Sequence, residues 1–209
     1  TAISGMLGAI LGEGITRFNF YGIFSKKDTG IAIQVLNPIK KVNMGFNLMN
    51  TKKSFFEIEA LGKTRVGYEL LKDPKFRIFY STENEEVFEK ICKKIQNNSH
   101  HYTPYMGLSQ FTAKIDYMAL TEGEIMETED FVDIATAINM RLCERKDSIK
   151  FDYEKKYSVN VMPIDMELDE VNERIVTEYS DVLIEITGSA VCVKLKEYIK
   201  TEFGNITYL

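Results

Sequence analysis

Two histidines, two tyrosines, a proline and a glycine fall inside one short stretch, His100-His101-Tyr102-Thr103-Pro104-Tyr105-Met106-Gly107-Leu108-Ser109-Gln110-Phe111. Those residue types support three kinds of chemistry. Metal-independent RNA cleavage needs a base for the 2′-hydroxyl, an acid for the leaving oxygen and a cation for the phosphorane. His100 or His101, a tyrosine and a lysine are groups of the right kind. Alternatively, Tyr102 and Tyr105 can stack nucleobases, an interaction worth roughly 1–3 kcal/mol per base in single-strand binders. The third reading is an aromatic turn, in which Pro104 fixes the backbone and Gly107 permits a close approach. His100 and His101 are the only histidines. Adjacent histidines rarely serve one metal, and no nucleophile elbow accompanies them, so no metal or cofactor is expected. Packing is the expectation for Tyr105 through Phe111, and His100 and His101 remain minority catalytic candidates.

A second candidate lies upstream. Between Asn37 and Ser81 nine lysines and arginines face four carboxylates, a local surplus of five positive charges in a chain whose net charge is −5. The region from Leu120 to Glu185 is strongly acidic. A chain divided in this way can turn one face to a polyanion and leave the other solvated. Lysines supply phosphate charges, while asparagines contact backbone or base edges. The glycines of Gly5-Met6-Leu7-Gly8-Ala9-Ile10-Leu11-Gly12 lack the Gly-Lys-Ser/Thr ending of a phosphate loop, so they read as small residues that let a buried helix pack closely.

The elements that must position these groups follow from periodicity. Ala2 to Leu11 is apolar all round and predicts a buried helix. Thr29 to Pro38 alternates as a strand, and Lys75 to Tyr80 as another. Residues 39–71 show no clean period and predict a long excursion, partly a β-hairpin. Thr82 with Glu85 predicts a capping box for a helix through Val87, Ile91 and Ile95 that ends at Asn97-Asn98. Thr112 to Leu120 predicts a strand. Helix, strand, excursion, strand, helix, strand would become a ferredoxin-like βαββαβ unit with one preceding strand. The chain as given opens inside an apolar run, which adds to the expectation of a preceding segment. Further on, Phe131 to Leu142 has helical spacing with some strand character. Tyr157 to Met162 and Ile175 to Ile186 predict strands. Gly188-Ser189 predicts a turn that makes a hairpin with Ala190 to Leu195, and Thr201 to Leu209 predicts a final strand. The expected fold class is therefore α+β, with a ferredoxin-like domain over residues 1–121 carrying an excursion at 39–71, and a smaller antiparallel β-rich part over 122–209.

Composition narrows the class. With 209 residues, 44% hydrophobic and 27% charged, the chain has the make-up of a globular protein with a substantial core. No apolar run reaches the roughly 18 residues that cross a bilayer, so no membrane partner is expected. Cys92, Cys143 and Cys192 are odd in number and far apart, which suits reduced thiols and a cytoplasmic setting.

Several segments together resemble one family. Thr1-Ala2-Ile3-Ser4-Gly5-Met6-Leu7-Gly8-Ala9-Ile10-Leu11-Gly12 is similar to the first helix of the CRISPR-associated Cas-five family, and Tyr102 to Phe111, running on to Ala113, resembles its second hallmark. Asn37-Pro38-Ile39-Lys40-Lys41, Asn47-Leu48-Met49-Asn50-Thr51-Lys52, Asp73-Pro74-Lys75-Phe76-Arg77-Ile78 and Met162-Pro163-Ile164-Asp165-Met166 resemble its type I-B branch. The resemblance implies an RRM/RAMP-like RNA-binding unit. It implies a subunit of the Cascade surveillance complex of antiviral defence, one that caps the 5′ handle of the guide RNA (crRNA). Its partners would be that RNA, the backbone and large subunits of the complex, and target DNA only through the complex. The family's thumb-like hairpin falls here on residues 39–71. The expected RNA contacts are Lys40, Lys41, Asn43, Asn47, Asn50, Lys52, Lys53 and Arg65. Type I-B relatives usually leave guide-RNA cleavage to a separate endoribonuclease, so a non-catalytic role is expected. The alternatives are a metal-independent endoribonuclease that processes precursor RNA, as type I-C relatives do, and a scaffold subunit that docks proteins through its acidic second part.

Overall fold

The computed structural model describes residues 2–12, 14–49, 63–143 and 146–209. In chain order the helices are α1 (Ala2–Leu11), α2 (Arg17–Ile23) and α3 (Glu85–Gln96). The strands are β1 (Thr29–Val35), β2 (Lys40–Met49), β3 (Lys63–Lys72), β4 (Phe76–Thr82), β5 (Glu124–Glu127), β6 (Phe131–Ile134), β7 (Ile138–Asn139), β8 (Ile149–Lys150), β9 (Tyr157–Leu168), β10 (Arg174–Glu185), β11 (Val191–Lys194), β12 (Glu197–Thr201) and β13 (Gly204–Ile206). The chain is a mixed α and β protein with few helices, and among the described residues every strand pair is antiparallel.

Strands β1 and β4 pair from Thr29↔Thr82 to Val35↔Phe76. Alternation along β4 sends neighbouring side chains to opposite faces. Tyr80 joins the cluster of Leu7, Ile10, Leu11, Phe24 and Ile91, which unites the three helices. Phe79 turns the other way and meets Ala32 and Ile206, with Ile199, Phe203 and Tyr208 beside them. The first β-pair is thus covered by helices on one face and by the C-terminal strands on the other. Ala137 and Leu209 also donate backbone hydrogen bonds to Ile33 and Ile31 of β1, at 2.8 and 3.0 Å. A second core of Ile134, Ile138, Ile149, Leu183, Val191, Val193 and Leu195 joins β6, β7, β8, β10 and β11.

Several expectations are corrected. The α3 cap is Asn84, whose side chain accepts from the Val87 amide; Thr82 instead accepts from the Asn84 amide, so the capping box with Glu85 does not form. Asn84 is one residue from the first helical turn, whereas Thr82 is still held in β4. Thr112 to Leu120 is not a strand: only Thr112 makes a bridge, to Tyr105. Ala113, Ile115 and Tyr117 are still half-buried while Lys114, Asp116 and Met118 are exposed. The two-residue period is present, but among the described residues no named strand pairs with this segment. Phe131 to Leu142 is not a helix; it divides into β6, β7 and a single turn of 3-10 helix. Finally, β11 does not form a hairpin with β10, because β10 already lies between β7 and β9; β11 fits between β6 and β8. Among the described residues no helix is long and apolar enough to cross a membrane.

Candidate nucleic-acid interface

The excursion between β1 and β4 is a two-stranded ribbon of β2 and β3, in register from Lys40↔Lys72 to Met49↔Lys63. Its base is fixed at three points. Leu36 donates to the Lys75 carbonyl at 2.9 Å, the Asn37 amide side chain to the Asp73 carbonyl at 3.1 Å, and Ile39 to the Ile186 carbonyl at 2.8 Å. Asp73 takes the left-handed conformation, φ 48°, that lets the chain leave β3 and enter β4 through Pro74. Midway along, Phe46 meets Tyr68 and Phe111 edge-on, with ring centres 5.2 and 6.4 Å apart. The ribbon therefore leans on the aromatic turn.

Glu185 holds the ribbon's base from behind. Only 5% exposed, its carboxylate accepts from the Lys156, Thr187 and Ser189 amides and from the Thr187 hydroxyl. That turn carries the Ile186 carbonyl which receives Ile39. Burial alone would raise the carboxyl's pKa, but the Thr187 hydroxyl and the three backbone amides outweigh it and hold the group below the ordinary carboxylate value. A depressed folded pKa means that its stabilisation is complete above the unfolded value and is lost as pH falls through the folded one. Glu185→Gln is expected to cost about 1–3 kcal/mol in urea unfolding at neutral pH, with the gap from the unsubstituted chain closing as acid neutralises Glu185 itself.

Register divides the ribbon into two faces. Val42, Met44, Phe46 and Leu48 share one with Val66, Tyr68 and Leu70, and the Lys40↔Lys72 pair lies at its base. Lys41, Asn43, Gly45 and Asn47 share the other with Leu71, Glu69, Gly67, Arg65 and Lys63. The two strands together carry five cationic side chains against one carboxylate. Of the expected contacts, Lys41, Asn43, Asn47 and Arg65 come together on the polar face. Lys41 is partly neutralised by Glu69 at 2.8 Å. Lys40 belongs to the apolar face, because its register is even where the others are odd. Asn50, Lys52 and Lys53 lie outside the described residues. Lys63 joins the polar face, although its position in the sequence did not mark it as a contact. Neither Lys63 nor Arg65 has an ion-pair partner among the described residues.

The histidines have a different place. The amides of His101 and Tyr102 donate to the carbonyls of Ile10 and Ala9 at 3.1 and 3.0 Å, satisfying the otherwise orphaned C-terminal carbonyls of α1. The His101 ring sits directly on Gly12 and meets Tyr102 edge-on. His100 is half-buried, and its Nε2 has no hydrogen-bond partner among the described residues. The following turn is closed by the Met106 amide on the Phe111 carbonyl, with Gly107 at φ 84°. Phe111 is packed as expected, but Tyr105 is 51% exposed and does not fill a gap. Across this short bridged turn, Phe111 faces the ribbon while Tyr105 projects outward. Cys92 and Cys143 have thiols raised by burial, which makes them poor nucleophiles. Among the described residues no group of His, Cys, Asp or Glu side chains is arranged to hold a metal ion. In comparisons with known proteins, no family model and no curated protein matches the chain.

Proposed function

We propose that this chain binds single-stranded RNA along the polar face of the β2–β3 ribbon, without cleaving it. The observation that carries this reading is the charge of that face: on a projecting two-stranded ribbon Lys41, Lys63 and Arg65 stand against one carboxylate, Glu69, with Lys63 and Arg65 unpaired among the described residues. The family resemblance of the sequence makes the RNA the 5′ handle of a guide RNA, and the chain a ferredoxin-like, type I-B-like Cascade subunit with the ribbon as its thumb. The arrangement of β1 and β4 against α1 and α3 is compatible with such a unit. His100 and His101 are left out of the proposed chemistry, because the segment carrying them closes the end of α1.

Handle RNA titrated against the full chain by fluorescence anisotropy tests this. Affinity should fall as salt rises, with a log–log slope of about −0.7 for each phosphate engaged, because binding releases counterions. An affinity that does not change with salt overturns the proposal. So does metal-free cleavage of repeat RNA that disappears when both histidines become alanine, which would establish the endoribonuclease alternative.

A further inference from the structure

The ribbon's polar face contains a feature that simple phosphate binding does not use. Gly45 and Gly67 stand opposite each other in the middle of two strands. A glycine inside a strand weakens it, and often marks a place where another group approaches the backbone closely. Here that group is a guanidinium. A Cβ on Gly45 would lie 2.8 Å from Arg65 Nε, 3.2 Å from a terminal guanidinium nitrogen and 3.4 Å from Cζ. The Arg65 side chain therefore folds diagonally over Gly45. Above Gly67 a Cβ would meet nothing within 4 Å, so the neighbouring position is open. Asn43 and Asn47 lie two residues to either side of Gly45 on the same face, both exposed.

We propose that Arg65, seated over the Gly45 slot, is a stacking platform for one unpaired nucleobase, with the Asn43 and Asn47 carboxamides placed to meet the edge of that base. A planar, delocalised, weakly hydrated cation stacks on aromatic rings in a way an ammonium does not. Unpaired RNA bases are held in this manner on arginine planes, and asparagine carboxamides offer a donor and an acceptor side by side. Open space over Gly67 leaves room for the ring, while Lys63 and Lys41 flank the slot as phosphate charges. The inference rests on the RNA-binding reading and sharpens it: the ligand is single-stranded, and one of its bases is engaged as well as its phosphates.

Four full-length proteins separate the possibilities: the unsubstituted chain, Arg65→Lys, Gly45→Ala and Gly67→Ala. Each is titrated with a twelve-nucleotide single-stranded RNA and, separately, with inorganic polyphosphate, which carries charge but no base. Arg65→Lys keeps the charge and removes the plane; Gly45→Ala keeps Arg65 but puts a methyl where the guanidinium sits. Both should weaken RNA binding on the order of tenfold, the scale of one stacked base, and leave polyphosphate binding unchanged. Gly67→Ala, which puts a methyl into the space left for the ring, should likewise weaken RNA binding and leave polyphosphate binding unchanged. Equal losses for RNA and polyphosphate, or no loss in Arg65→Lys, would show that Arg65 is only a phosphate charge and overturn the inference while leaving RNA binding intact. No RNA binding by the unsubstituted chain would overturn both.

Discussion

Replacing Lys41, Lys63 and Arg65 together by alanine is expected to weaken handle RNA binding roughly a hundredfold at moderate salt. The magnitude follows from two cations, Lys63 and Arg65, that have no ion-pair partner among the described residues and so remain available to phosphate. A charge-assisted hydrogen bond contributes about 1.5–3 kcal/mol, so two of them at the lower end give about that factor. Lys41 adds less, because Glu69 already holds it at 2.8 Å. The salt slope should become shallower by about 1.4 to 1.7, nearer two contacts than three at about 0.7 each. Glu69→Gln tests the same electrostatics with the opposite sign. It removes the one carboxylate of the ribbon and frees Lys41, at the cost of an exposed ion pair worth under about 1 kcal/mol of stability. RNA binding should tighten severalfold. All four side chains are exposed. Far-ultraviolet circular dichroism should therefore show unaltered folds, and anisotropy titrations read the affinity directly. A triple variant that binds as before would remove the ribbon from the interface.

Residue pattern alone located the ribbon but not its two-sidedness. Lysines and asparagines mark residues 39–71 as the basic excursion, yet a face is a matter of register, and register depends on where β3 begins. Once Gly45 lies opposite Gly67, Lys40 falls with Lys72 at the base of the apolar face and Lys63 joins the face of Arg65 and Asn47. Elements with a strong single period were legible: α1, α3, β1, β4 and β10 lie within a few residues of their expected bounds, and β9 starts at Tyr157 as expected but runs on past Met162 to Leu168. Helix α2 was not, although Thr16 and Asn19 cap each other reciprocally in the local pattern of a capping box. Asparagine stands where a glutamate or glutamine would have drawn notice. Residues 131–142 misled for another reason. Ile134, Ile138 and Leu142 recur every four residues, but Ile134 and Ile138 come from separate short strands that meet in one core. Spacing in sequence cannot distinguish one helix from two strands brought together by a turn. The pairing of β11 was equally hidden, because it depends on one edge of β10 being taken by its hairpin partner β9 and the other by the distant β7.

The largest effect on stability is expected at Gly12. Helix α1 ends there: the Gly12 amide donates to the Gly8 carbonyl at 2.9 Å, and Gly12 itself turns left-handed at φ 66°. That conformation lets the chain leave the helix while His101 and Tyr102 close over the last carbonyls. An alanine would meet two obstacles at once. The left-handed backbone is costly for a residue with a Cβ, about 1–2 kcal/mol. The methyl would also lie 2.0 Å from His101 Cγ and 2.3 Å from His101 Cβ. Ring rotation cannot relieve the second contact, since His101 Cβ is fixed by the same backbone that donates to Ile10. Gly12→Ala should therefore cost more than about 3 kcal/mol, the strain and the overpacking together. Gly5, in the same helix, predicts the opposite sign. A Cβ there meets nothing within 4 Å, and Gly5→Ala should stabilise by about 0.5–1 kcal/mol through helix propensity alone. Urea unfolding of the two variants side by side measures both. His101→Ala removes only the ring, keeping the backbone bond to Ile10, so its loss should be much smaller than that of Gly12→Ala. A histidine whose ring matters less than the glycine beneath it serves the helix end, and that ordering of the three variants is what a structural role for the His100-His101 segment requires.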